Sequence, residues 1–103
     1  MTTYVRVART ADVPPCRMIR AEVNGDPILV ANLDNRFFAV SDTCSHQDAS
    51  LVTGALQGEF VRCPLHGSRF SVKTGEVQEE PAEENLTVYP VRVEDGDILI
   101  GSP

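Results

Sequence analysis

Cys44-Ser45-His46 and Cys63-Pro64-Leu65-His66 each set one thiol beside one imidazole, at Cys-x-His and Cys-x-x-His spacing. Spacings this short let two side chains of one tight loop converge on a single metal centre, and a mixed sulfur and nitrogen donor set suits zinc or iron. The sorting differs from the usual zinc finger, where the cysteines form one pair and the histidines the other. With one thiol and one imidazole in each loop, both thiolates can bind one iron of a two-iron cluster while both imidazoles bind the other. A structural zinc site built from the same atoms is the competing reading. A Cys–His nucleophile finds no support, because nothing in the sequence resembles an oxyanion hole or an orienting carboxylate.

The residues around the two pairs narrow the choice. Gly67 follows the second histidine, Phe70-x-x-x-Thr74-Gly75 lies downstream, and the chain closes through Tyr89-Pro90-Val91-Arg92-Val93-Glu94-Asp95-Gly96. On these motifs the sequence resembles the Rieske 2Fe–2S proteins. In length and flanks it is most similar to the small soluble Rieske ferredoxins of bacterial aromatic-ring-hydroxylating dioxygenase systems. The resemblance implies one Rieske-type 2Fe–2S cluster, with Cys44 and Cys63 on the inner iron and His46 and His66 on the outer. The outer iron would then lie near the surface, where a partner's cofactor can approach. Supporting roles are implied for Gln47, Pro64, Leu65, Gly67 and Ser68. Pro64 and Gly67 would shape the second loop so that backbone N–H groups point at sulfur, while Gln47, Leu65 and Ser68 would cover the cluster. Turn geometry alone would also account for these residues.

The function implied is one-electron transfer without substrate turnover. The protein would accept electrons from a flavin-containing, NAD(P)H-dependent ferredoxin reductase and pass them to the Rieske centre of a terminal oxygenase. The chain is too short to hold an oxygenase's mononuclear iron domain, and its two histidines are both used as ligands. The alternative of similar size is the small Rieske-like subunit of an assimilatory nitrite reductase. The resemblance also bears on the potential. High-potential Rieske proteins of respiratory complexes carry an extra cysteine in each ligand loop, joined as a disulfide, and place a tyrosine and a serine hydroxyl against the cluster sulfurs. The matching positions here are Ala49, Leu65, Phe70 and Ser68, so only the serine is retained.

At 103 residues the chain makes one domain, able to bury roughly two-thirds of its unfolded surface. Hydrophobic residues make up 42% and charged residues 23%, as in ordinary globular proteins. No stretch has the apolar length of a transmembrane helix, and Met1-Thr2-Thr3-Tyr4-Val5-Arg6 lacks a signal-peptide core. A cytoplasmic protein is expected, with no membrane partner, acting as a monomer. The net charge of −6 disfavours nucleic acid and anionic membranes and is compatible with basic partner surfaces. Three cysteines are too few for a disulfide framework. Cys16 is left over and reads as an inert small hydrophobe.

The elements needed to position the two pairs are strands. Alternation or apolar runs predict strands at residues 4–8, 16–23, 27–32 and 36–40. Asn24-Gly25 and Asp34-Asn35 form the turns of an antiparallel meander. Residues 41–72 hold both ligand loops and only short strands, around 60–62 and 69–71, with Gly54, Gly58 and Gly67 supplying turns. The glutamate-rich run 76–85 reads as a solvated loop. Between Leu86 and Val93 the apolar positions change phase, which predicts a bulge or bend near Tyr89-Pro90. Asp95-Gly96 then closes a last hairpin to residues 97–100. The fold class is therefore all-β, an antiparallel sandwich or partly open barrel, to which the resemblance adds an inserted cluster-binding subdomain. The expected division is a scaffold of residues 1–42 and 73–103 around a subdomain of residues 43–72.

Overall fold

The computed structural model describes residues 3–44, 49–65, 67–80, 82 and 84–102. Its strands are β1 (Val5–Arg9), β2 (Met18–Val23), β3 (Asp26–Leu33), β4 (Arg36–Ser41), β5 (Ala55–Gln57), β6 (Phe60–Arg62), β7 (Arg69–Ser71), β8 (Val77–Glu79), β9 (Val88–Tyr89), β10 (Val91–Glu94) and β11 (Asp97–Ile100). Short 3-10 turns at Thr10–Asp12 and Leu51–Thr53 are the only helical pieces among the described residues. The strands form three antiparallel sheets, ordered β1-β11-β10, β2-β3-β4-β9 and β5-β6-β7-β8. The chain is all-β and antiparallel, as its sequence implies.

The three turn dipeptides do what their chemistry favours. Asn24-Gly25, Asp34-Asn35 and Asp95-Gly96 all have both residues at positive φ, between 51° and 84°. Such turns match the right-handed twist of the strands they join. They set the β2–β3, β3–β4 and β10–β11 hairpins with Val23 opposite Asp26, Leu33 opposite Arg36 and Glu94 opposite Asp97.

Strand β3 explains how the layers are held. Ile28, Leu29, Val30 and Ala31 are all fully buried, and successive side chains of a strand point to opposite faces. Ile28 and Val30 enter a core with Ala8, Ala39, Tyr89, Ile98 and Ile100. Leu29 and Ala31 enter a second core with Val40, Leu51, Val61, Phe70, Val72 and both Cys44 and Cys63. The sheet β2-β3-β4-β9 is thus the middle layer. It is backed by β1-β11-β10 on one face and carries the β5–β8 sheet with the two cysteines on the other.

Three local readings are corrected or refined. Residues 76–85 are not simply a solvated loop: β8 pairs antiparallel with β7, and Ala82 is buried in the core that holds the cysteines. Charge composition hid this, because an edge strand needs only one covered face, here Val77. The bend near Tyr89-Pro90 is where the chain leaves one sheet for another, since β9 pairs with β4 and β10 with β11. The buried residue of β9 is nevertheless Tyr89, at 9% exposure, while Val88 is 40% and Val93 49% exposed. Burial, with the Asp26 carboxylate second, raises the Tyr89 phenol above its ordinary value of 10.0. Folding therefore favours the neutral phenol, a contribution lost only as pH climbs past about 10. Finally, Cys16 is exposed and sits at φ 65° just before β2, so it is not a core residue.

Candidate metal centre

The first ligand loop leaves the end of β4. Thr43 bridges Ser50, and the Cys44 N–H donates to the Ala49 carbonyl at 3.0 Å. Cys44 and Ala49 are thus paired across a segment whose His46 and Gln47 are candidates read from the sequence. Both lie outside the described residues. Ala49 packs against the core that contains Cys44.

The base of this loop is held by a residue that sequence reasoning missed. Asp42 is 1% exposed. Its Oδ1 accepts the Val52 N–H at 2.9 Å, and its Oδ2 accepts the Ser50 hydroxyl. Arg20 Nε lies 3.3 Å from Oδ2. The available signal was an aspartate at a strand end beside a serine-bearing turn, a type that favours side-chain to backbone hydrogen bonds.

The second loop joins β6 to β7. Cys63 N–H donates to the Ser68 carbonyl at 2.8 Å, and Gly67 N–H donates back to the Cys63 carbonyl at 3.1 Å. Gly67 has φ 78°, which only glycine adopts without strain. His66 lies outside the described residues. Leu65 is 58% exposed, so it stands at the surface of the loop instead of being sealed into the core. Ser68 is fully buried, and its Oγ accepts the Ala82 N–H at 3.0 Å. A hydroxyl that accepts one bond still has its own proton to donate.

Both cysteines pack into the same core. Cys44 and Cys63 are 3% and 2% exposed, belong to one apolar core, and are not joined as a disulfide. The backbone N–H of each donates to the carbonyl five residues further on. Two buried thiols in one core, with a histidine in the sequence beside each, form a donor set whose chemistry fits a cluster with mixed ligation. Beside the second loop, Arg62, Arg69 and Glu79 stand in one row across β6, β7 and β8. Arg69 pairs with Glu79 at 2.8 Å. Gly54 has φ −88°, so it is not there for a left-handed turn. A Cβ on it would lie 1.9 Å from the Arg62 carbonyl oxygen, and its reason is close approach of two backbones.

Comparison with known proteins agrees with this arrangement. The family model of the Rieske [2Fe-2S] domain matches residues 3–90. The chain is 39% identical over 95 residues to the ferredoxin component of biphenyl 2,3-dioxygenase from Rhodococcus jostii RHA1, covering 92% of this chain and 89% of that protein. It is 43% identical over 94 residues to the 3-phenylpropionate/cinnamic acid dioxygenase ferredoxin subunit of Escherichia coli K12, covering 90% and 88%. Among solved structures, it superimposes with TM-score 0.89 and 34% identity on a chain of a complex of reduced oxygenase and oxidized ferredoxin in carbazole 1,9a-dioxygenase, covering 94% and 91%. This chain belongs to the Rieske [2Fe-2S] family. Its cofactor is a Rieske-type 2Fe–2S cluster, and the zinc reading of the same donors is set aside.

Proposed function

We propose that this protein is a one-electron carrier that takes electrons from an NAD(P)H-dependent flavoprotein reductase and delivers them to the Rieske centre of a terminal aromatic-ring-hydroxylating dioxygenase. Cys44 and Cys63 hold one iron of the cluster, and His46 and His66 hold the other. The observation that carries this reading is the placement of both cysteines in one buried core, with a histidine in the sequence beside each. The cluster supplies one-electron chemistry. The chain's own residues keep both thiols buried in an apolar core. Residues 43–72 act as the core of the cluster-binding subdomain on a scaffold of residues 1–42 and 73–103. The sheet order supports a separate subdomain by grouping β5 to β8 apart from the other strands, with β8 extending that sheet past residue 72. The similarity to dioxygenase ferredoxin components over about nine-tenths of both chains supports a carrier without catalysis of its own.

Docking would use Leu65, exposed next to His66, with the acidic surface tuning the approach. Glu76, Glu79, Glu80 and Glu84 are exposed, on a chain of net charge −6. Mixed with a reductase, a terminal dioxygenase and NADH, the protein is expected to support aromatic dihydroxylation. At limiting partner the rate should fall severalfold between about 0.1 M and 1 M salt, as the Debye length shrinks from about 10 Å to about 3 Å. A salt-independent rate would remove the electrostatic part. No electron delivery to any such oxygenase would overturn the reading and return the nitrite reductase subunit to first place.

A further inference from the structure

Asp42 stands where the scaffold meets the first ligand loop, and every polar atom it has is used. Its backbone N–H donates to the Pro27 carbonyl of β3 at 3.1 Å, and its carbonyl accepts the Leu51 N–H at 2.7 Å. Its carboxylate takes the Ser50 hydroxyl, the Val52 N–H and the Arg20 guanidinium of β2. One residue therefore ties β2 and β3 to the chain on both sides of residues 43–50. The Asp42 side chain is 2% exposed, and a buried charge stripped of its partners is strongly unfavourable. The network accordingly holds together as a unit, and the loop base moves only if the unit breaks.

We propose that Asp42 is a positioning residue for the cluster: the Asp42–Arg20–Ser50–Val52 network fixes where the chain presents Cys44. This rests on the cluster-binding reading given above. Groups that orient ligands alter the properties of the bound metal as well as its retention. Asp42→Asn keeps the shape and one acceptor but turns a donor toward Ser50 and Arg20, so the loop base must rearrange.

The holoprotein tests this with two readouts, the EPR g-values of the reduced cluster and the rate of iron release to a chelator. Asp42→Asn is expected to shift the g-values and to release iron at least tenfold faster. Ser50→Ala should move both in the same direction by less, and it decides the matter if Asp42→Asn does not accumulate. Ile98→Ala, which opens the other core, should lower the melting temperature and leave the g-values unchanged. Native g-values and native iron release in the Asp42 and Ser50 variants would overturn the proposal. So would an Ile98→Ala protein that reproduced both changes. Wild-type protein lacking iron and sulfide would instead overturn the cluster reading beneath it.

Discussion

Cys44→Ser and Cys63→Ser proteins are expected to purify without a stable cluster, colourless and with iron and sulfide reduced to a small fraction of the two of each that a [2Fe-2S] centre requires. Serine is nearly isosteric, so the loss would come from chemistry. A hydroxyl does not ionise near neutral pH and offers a hard oxygen where the cluster needs a soft anionic sulfur. Both positions are buried among Leu29, Val40, Val61 and Phe70, so water cannot stand in as a ligand. Metal binding free energy is also folding free energy wherever the unfolded chain has no site. These variants should therefore melt well below the wild type even though neither substitution opens a cavity. His46→Ala and His66→Ala should lose or badly disturb the cluster for the same reason. Iron and acid-labile sulfide analysis of natively purified protein checks each case. Full cluster occupancy in Cys44→Ser would show that another residue is the ligand.

Gly54→Ala is expected to destabilise the β5–β6 region severely. The new Cβ would sit 1.9 Å from the Arg62 oxygen and 3.1 Å from its carbonyl carbon. Both are backbone atoms, which cannot swing aside as a flexible side chain would. Ala55 pairs with Arg62 at the start of the β5–β6 ladder, and Arg62 is followed directly by Cys63. Relief must then come from parting the strands that carry the second loop. Overpacking of this kind costs about 3 kcal/mol or more, which is roughly 10–20 °C in melting temperature for a domain of this size. Gly58→Ala is the contrast. Gly58 has φ 59° but nothing within 4 Å of a new Cβ, so it should cost only about 1 kcal/mol of backbone strain. Thermal unfolding of the two variants side by side decides this, and equal melting temperatures would mean that β5 and β6 do not approach as described.

Much of this was legible in the sequence because it rests on local chemistry. Asn24-Gly25, Asp34-Asn35 and Asp95-Gly96 specify their turns through their own backbone preferences, and the strands between them followed. The run from Ile28 to Ala31 announced a strand covered on both faces. The two Cys/His pairs stood out as candidate ligand loops because their spacing is itself the signal. What escaped was set by contacts distant in sequence. Asp42 looks like any strand-end aspartate until Arg20 and Ser50 are placed against it. Gly54 looks like a turn glycine, and only the position of Arg62 reveals why a side chain is forbidden. The glutamates from 76 to 84 concealed β8 and the buried Ala82, because charge reports the solvent face and is silent about the other. At Tyr89-Pro90 the bend was readable from the phase change. Which residue it buries was not, since β9 is only two residues long and takes its register from β4.

The reduction potential tests the central claim most directly, since a carrier between a flavin reductase and an oxygenase must be easier to oxidise than a quinol-oxidising Rieske protein. Ala49 and Leu65 exclude a disulfide between the ligand loops. Phe70 is fully buried without a hydroxyl to donate, and Ser68 is the one retained hydroxyl. Fewer donors leave charge on the cluster sulfurs less stabilised, which penalises the reduced state. Rieske centres span about −150 to +300 mV. Protein-film voltammetry at neutral pH should place this one at the low end, near −150 mV, with Ser68 lifting it only modestly. A midpoint above zero would contradict both the hydrogen bonding described and the role between reductase and oxygenase.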